Sequence, residues 1–581
     1  MLTRLVENGK SDYRVIVSAQ ASPSERLAAK EFVSFIKQIT GAELPVAEDT
    51  APEEKHEVLI GYTARECVAY GKVSLDQCGD EGFIIKADGE KLIIAGGRLR
   101  GTLYGVYTFL EDYTGCRWFT PKLSRIPRKS DILIPEISRF EKPALEYREP
   151  YFYEVTSGGQ EWNVRNKCNG SAVPIDEEHG GHVRYGAFVH TFNSIIPPKE
   201  YAKTHPEYFS MIDGQRVTEH SQLCLTNPEV LRLTIEKVKE WIRKRPDCKI
   251  FSVSQNDWGN YCTCPACAAV DEEEESHAGS LLRFVNAVAE AIEKEYPDVL
   301  IDTLAYQYTR KAPKHVKPRK NVVVRLCSIE CCELHPVSEC HVTINDNKSP
   351  SGNPFAVDLA EWKKICDRLY IWDYSANFHL YLYPHPTLQV FAPNMRFFME
   401  NNVKGVFHEG SDGKGGGGYC AELKAYLMAK LMWDPYCDAK RHEAEFLCAY
   451  YGLAAYKMKE IFDAILRSAL DCGGHLFFAM AASQEFTKKD DNLVVKCKRL
   501  FEEAELMAEN DEILERIKRA RMWLLLLEIT KLQVGEPGRA ELIDMFEKRC
   551  EEFGYEIMGC APTMTVKELC DYLRVKSDMH P

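Results

Sequence analysis

The sequence predicts an α/β protein: a (β/α)8 TIM barrel with an α+β domain before it and an α-helical domain after it. Three observations carry this. Between about 143 and 410, short apolar runs recur at intervals suited to alternating strands and helices, and each ends in polar or aromatic groups. Before that, residues 13–134 mix strand and helix patterns on a smaller scale. From about Glu422 to the end the periodicity is helical. The predicted division is 1–137, 138–435 and 436–581, and 581 residues are more than one core holds.

In the first segment, Tyr13–Val17 reads as a strand and Pro23–Ile36 as a helix with a capping-box-like start near Ser22. Glu57–Gly61 is a second strand. Glu81–Ile85 and Lys91–Gly97 form a hairpin around Asp88-Gly89. A second helix runs from Thr102 to Glu111. The glycines of 96–105 lack Rossmann spacing, so a nucleotide loop is set aside.

Pro143–Pro150 reads as the first barrel strand, with Arg148 at its exit, and Arg165–Gly170 precedes the second. Tyr185–Thr191 runs apolar into His190. Gln222–Asn227 precedes a helix begun at Pro228. Lys249–Ser254 breaks into Gln255-Asn256-Asp257-Trp258-Gly259, delivering hydrogen-bonding groups to a loop rather than filling a core. An amphipathic helix follows from about Ser280. Val299–Tyr306, Asn321–Cys327, Arg368–Tyr374 and Val403–Gly410 complete the set. Carboxylates or tyrosines at successive exits (Asp257, Tyr306, Glu330, Asp373, Glu409) point jointly to a site. The glycine run 413–418 reads as a mobile loop, a lid after Glu409. It lacks the Ser/Thr of a phosphate loop.

Net charge is 73 − 87 = −14 with no basic stripe, which argues against nucleic acid or anionic membrane as partner and suits a neutral substrate. The N-terminus shows no signal-peptide run and no segment is apolar enough to span a bilayer, so the expected location is cytoplasmic. The 22 cysteines then read as reduced thiols, many of them small hydrophobes such as Cys67, Cys116, Cys224, Cys366 and Cys448. Two loop clusters stand apart. Cys262, Cys264 and Cys267 together with Cys327, Cys331, Cys332 and Cys340 offer one structural zinc site. Buried thiols are the preferred reading, with no metal and no cofactor.

The segment 96–121 resembles the non-catalytic N-terminal domain that precedes the barrel in family 20 glycoside hydrolases and in α-glucuronidases. The runs His190–Asn193, Pro206–Phe209, Ser254–Gly259, Leu326–Cys332, Tyr370–Tyr374 and Gly405–Phe407 resemble a large, mostly uncharacterised bacterial family of glycosidase-barrel type. The endo-β-N-acetylglucosaminidases of family 163 look like its relatives. The resemblance implies a carbohydrate-active enzyme. The adjacent Asp-Glu pair of family 20 is absent; Asn256-Asp257 stands there, which argues against straightforward substrate-assisted catalysis.

Glycosidic cleavage needs a protonated carboxyl beside the leaving oxygen and a second group to stabilise the cation or activate water. Asp257 is the candidate acid, shielded by Trp258. Glu330 is the candidate base or nucleophile, and Glu409 the alternative partner. Arg148, His190, Asn256, Trp258, Tyr306, Trp372, Asp373, Tyr374 and Asn377 are candidate sugar contacts. Structural roles compete with these: a loop-capping turn for Asp257, a partner of Arg325 for Glu330, a salt bridge for Arg148, core packing for Trp372. The predicted function is hydrolysis of N-acetylhexosamine- or uronate-containing glycans. The alternative is a carbohydrate-binding protein on a degenerate barrel.

Overall fold

The computed structural model describes residues 3–65, 75–87, 90–344, 351–479, 486–487 and 490–576. Cys67 and the turn Asp88-Gly89 lie outside them. Near the N-terminus a six-stranded mixed sheet has the order Ile137–Glu141, Phe83–Ala87, Lys91–Gly96, Glu57–Ile60, Arg14–Val17, Val46–Glu48. The helix Pro23–Thr40 starts as its sequence signals. Ser22 Oγ accepts from the Glu25 amide (3.2 Å) and Glu25 returns the bond to the Ser22 amide (2.8 Å). It ends at Gly41, in the left-handed region at φ 80°, and buries Leu27, Phe32, Phe35, Ile36 and Ile39 on the sheet. Ile137–Glu141 pairs antiparallel with Phe83–Ala87, so this sheet continues past residue 137.

The central layer is a curled parallel sheet of seven strands. Its order is Tyr147–Tyr151, Val403–Glu409, Leu369–Tyr374, Val322–Cys327, Leu300–Ala305, Ile250–Ser252, Tyr185–Ala187. Every strand alternates faces. Residues of one parity (Val324, Leu326, Ile371, Val406) join the helices Pro228–Lys244, Ala278–Glu293, Phe355–Ile365, Leu388–Glu400 and Ala421–Trp433 in the outer core. The opposite parity fills the inside: Tyr147, Tyr185, Ile250, Val323, Tyr370 and Phe407 form one buried cluster. The two edge strands meet there, with the Tyr147 and Tyr185 rings edge-on at 5.9 Å. Gly405 is required at this level. A Cβ on it would lie 2.8 Å from Tyr147 and 2.9 Å from Tyr370, whose rings stack at 5.5 Å across it.

At the centre stands Arg325, fully buried, 5.3–5.9 Å from six rings including Tyr147, Phe188 and Trp372. Its charge is met by Asp302 (3.4 Å) and the Tyr185 hydroxyl. Between the two edges the chain forms no regular strand. Instead the Asn169 amide donates to the Arg148 carbonyl (3.2 Å) and the Val183 amide to that of Asn169 (2.9 Å). The second strand expected after Arg165–Gly170 does not form; the irregular segment 166–170, with Lys167 at φ 61° inside it, takes its place.

After Trp433 the chain is mostly helical, with Asp511–Ala520 and Met522–Lys531 as two successive helices. A hairpin, Ile557–Cys560 with Thr563–Thr565, was not foreseen. Side chains from Phe446 to Leu527 share one continuous core with the helices around the sheet. No helix among the described residues is long and apolar enough to cross a membrane.

Candidate active site at the mouth of the parallel sheet

The carboxyl ends of the strands gather Tyr151, His190, Asp257, Tyr306, Trp372, Tyr374 and Glu409. Trp372, Tyr374 and Glu409 share the inward parity of Tyr370 and Phe407. Trp372 packs with Leu304, Tyr306, Cys327 and Val189, bringing three strand exits together. Its ring lies 4.7 Å from Phe407 and 5.8 Å from Phe188, a continuous aromatic wall.

Glu409 ends the last strand inside this wall. Its Oε2 accepts from the Trp372 indole N–H at 2.7 Å. Burial without a cation pushes its carboxyl up to about 8; the Trp372 bond opposes this, while the charges of Asp412 and Asp257 add to it. A carboxyl of that kind carries its proton at neutral pH.

Asp257 is placed otherwise. Its side chain is 60% exposed. Oδ1 accepts from the Tyr306 hydroxyl at 2.9 Å and stands 3.9 Å from His190 Nε2. Gln307 Nε2 donates to the same tyrosine oxygen (2.9 Å). His190 is fixed by its amide on Ser254 Oγ (2.9 Å) and by Nδ1 on the Gln255 carbonyl (2.8 Å), at φ 57°. That backbone strain at a strand exit turns the ring toward Asp257. Trp258 does not provide the expected shield. Its ring packs edge-on against His220 at 5.3 Å, and Asp257 stays open.

Several other expectations are corrected. Glu330 is buried against Arg310 (2.8 Å), which also holds Asp358 (2.8 Å); its partner is this arginine, not Arg325. Burial raises its pKa and Arg310 opposes that. Arg148 has outward parity and is fully buried. It pairs with Glu81 through two bonds of 2.9 and 2.7 Å, the salt bridge that competed with a sugar-binding role. Asp373 also points outward, accepting from Ser328 Oγ (2.7 Å) with His408 at 3.6 Å. Asn256 ties loops together, its amide donating to Asn193 Oδ1 and the Ser221 carbonyl. Asn377 Oδ1 caps the amides of His379 and Leu380. The run 413–418 is pinned rather than loose: the amides of Glu556 and Ile557 donate to the Lys414 carbonyl (3.0 and 3.1 Å), and the Gly417 amide donates to Glu154 (3.1 Å).

Further carboxylates escaped the sequence reading, Glu149, Asp302 and Glu154 among them. Glu149 and Asp302 project inside the sheet and both have raised pKa values from burial. Their signal was the period-two pattern Tyr147-x-Glu149-x-Tyr151 and its like in the other strands. Glu154, beneath the glycine run, is pushed up to about 8 by burial and by Glu422. No sequence pattern marks it.

The cysteines also sort differently. Cys224 joins Cys262, Cys264 and Cys267 in one cluster; Cys332 and Cys340 join His335 and His475 in another. Cys327 and Cys331 belong to neither and sit in apolar packing.

With this geometry in place, comparisons locate the chain among known proteins. Residues 3–109 match the family described as glycosyl hydrolase family 67 N-terminus. Among solved structures, a novel family GH115 4-O-methyl-α-glucuronidase with specificity for decorated arabinogalactans superposes with a TM-score of 0.56 at 10% identity. The match covers 95% of this chain and 77% of that enzyme, a likeness of fold. No curated protein matches the chain. Residues 118–463, more than half of the sequence, match the family described as domain of unknown function DUF4838, and the protein belongs to that family.

Proposed function

We propose that the protein is a glycoside hydrolase acting on uronate-containing glycans, with Glu409 as proton donor and Asp257 as the opposing carboxylate. The curled sheet then serves as a (β/α)8 barrel whose second position is taken by the irregular segment 166–170. The observation that carries the reading is Glu409: a carboxyl at the mouth of the sheet, raised to about 8, fixed by one indole N–H. Cleavage of a glycosidic bond needs such an acid, since the departing oxygen must take a proton as the bond breaks. Asp257 faces a phenol donor and an imidazole, an arrangement that supports negative charge beside a developing oxocarbenium ion or an incoming water. Trp372 and Phe188, both partly exposed, offer the apolar faces that pyranose rings stack on. This reverses the roles read from sequence, where Asp257 was the acid. The uronate preference is supported by the glucuronidase neighbour and the family 67 match.

The test is a panel of glycosides with unactivated alkyl or sugar leaving groups, α-glucuronides beside N-acetylhexosaminides, with wild type and Glu409→Gln. Turnover of a uronide that falls about 10²–10⁴-fold in the variant supports the reading. Turnover of N-acetylhexosaminides alone, or an unaffected variant, overturns the substrate class or the acid respectively. Glycan binding without turnover returns the protein to the carbohydrate-binding alternative.

A further inference from the structure

We propose that the chain binds two zinc ions, one on each of two loops that leave the carboxyl ends of the parallel strands. The first site is Cys224, Cys262, Cys264 and Cys267. All four are buried and their sulfurs lie within 4.8 Å of one another. Cys224 Sγ is 3.7 Å from Cys264 Sγ and 3.9 Å from Cys267 Sγ. Four thiolates around zinc at about 2.3 Å stand about 3.8 Å apart, the edge of the tetrahedron. A disulfide needs about 2.05 Å, so these sulfurs are spaced for a shared ion and not for each other.

The surroundings fit. The Met211 amide donates to Cys262 Sγ (3.3 Å), the Thr226 hydroxyl stands 3.2 Å from Cys267 Sγ, and the Arg216 guanidinium is 3.9 Å from Cys262 Sγ. Donors of this kind stabilise thiolate charge and hold ligands in orientation. Cys264 caps the helix Pro265–Glu273, which carries Cys267 in its first turn. The C-x-C-x-x-C run supplies three ligands; Cys224, distant in sequence, supplies the fourth.

The second site is Cys332, His335, Cys340 and His475. Cys332 Sγ lies 3.4 Å from His335 Nδ1 and 3.3 Å from His475 Nδ1, and Cys340 Sγ lies 3.6 Å from His475 Nδ1. Zinc bonds of about 2.3 Å to sulfur and 2.05 Å to nitrogen put S and N about 3.6 Å apart in a tetrahedron. Three ligands come from the loop after Cys327. His475 comes from the segment following the helix Ala455–Asp471, beside which the Glu333 amide donates to the Leu476 carbonyl (2.8 Å). Both sets are complete without an open position, which is the form of a structural zinc. One ion would fix the loop that carries Asp257, the other the join between the sheet and the C-terminal helices.

The test is zinc analysis of the full chain purified without chelator, followed by cobalt exchange. Two zinc ions per chain are expected, with one each in Cys267→Ser and His475→Ala. Cobalt in the wild type should give thiolate charge-transfer absorption and intense tetrahedral visible bands, stronger in the charge-transfer region for the all-sulfur site. The wild-type spectrum keeps the test valid if a variant does not fold. A wild type that holds neither zinc nor cobalt after dialysis overturns the proposal. A folded variant that keeps the wild-type metal content overturns the site it was built to remove. A mass lower by two hydrogens per cysteine pair, showing disulfides, overturns that site as well.

Discussion

At the scale of residues, two carboxyls at one mouth are set apart by their surroundings. Glu409 is half-buried within the aromatic wall, with the Trp372 indole N–H as its donor; Asp257 is open to water with a phenol and an imidazole beside it. If Glu409 acts as acid, kcat/KM should fall as pH rises through about 8, and that limb should vanish in Glu409→Gln. The same group bears on stability. Its folded pKa lies above the ordinary carboxyl value, so the folded state holds a proton that the unfolded chain releases. Stability is full below about 4.5 and declines as pH rises to about 8. Glu409→Gln should flatten that decline in denaturant titrations across the window. Glu330 should behave differently: Glu330→Gln leaves Arg310 short of a partner and costs on the order of 3 kcal/mol in chemical denaturation. Asp257 and Glu409 were legible as strand-exit carboxylates. Their roles were not, because desolvation depends on what packs around an exit, and no spacing rule shows that.

At the scale of elements, strand parity decides which residues reach the mouth. Tyr370, Trp372 and Tyr374 face in; Asp373 faces out to Ser328 and His408. Arg148 faces out for the same reason, between inward Tyr147 and Glu149. The alternation was readable in the sequence, and it excludes both residues once strand register is fixed. The glycine run was misread because composition suggests mobility, whereas Gly415, Gly416 and Gly417 adopt φ of 93°, 76° and 101° to let the chain press on Tyr555 and Glu154. Gly417→Ala should destabilise by about 1 kcal/mol or more, since alanine there is strained and its Cβ would sit 3.0 Å from the Tyr555 ring. In hydrogen exchange the Glu556 and Ile557 amides should be protected; a free lid would leave them exchanging rapidly.

At the scale of the whole molecule, buried ion networks dock the N-terminal sheet on the central one. Glu81 joins Arg100 and Arg148, while Glu111 joins Lys167 and Lys430. Trp433 lies between, stacked on Phe83 at 5.9 Å with Arg148 over its face at 5.3 Å. Both carboxylates are held down to about 2, chiefly by these cations working against burial. Depressed pKa values mean stability that is present above about 4.5 and lost as pH falls toward 2. Each contributes up to about 3 kcal/mol by that linkage. Trp433 emission should therefore change in this acid window. Glu81→Gln, which leaves two guanidiniums facing each other, should cost about 3–5 kcal/mol at neutral pH. The layers themselves were legible from periodicity. Their docking was not, since Glu81, Arg148 and Lys430 are far apart in sequence and meet only through the fold.

The most direct test of the central claim, that Glu409 gives the proton and Asp257 opposes it, is the leaving-group dependence of hydrolysis in Glu409→Gln and Asp257→Asn. An activated aryl leaving group needs no acid. The account predicts that Glu409→Gln recovers most of its rate on such a substrate while losing it on an alkyl glycoside, and that Asp257→Asn loses rate on both. Recovery in Asp257→Asn with none in Glu409→Gln would contradict it and restore Asp257 as the acid.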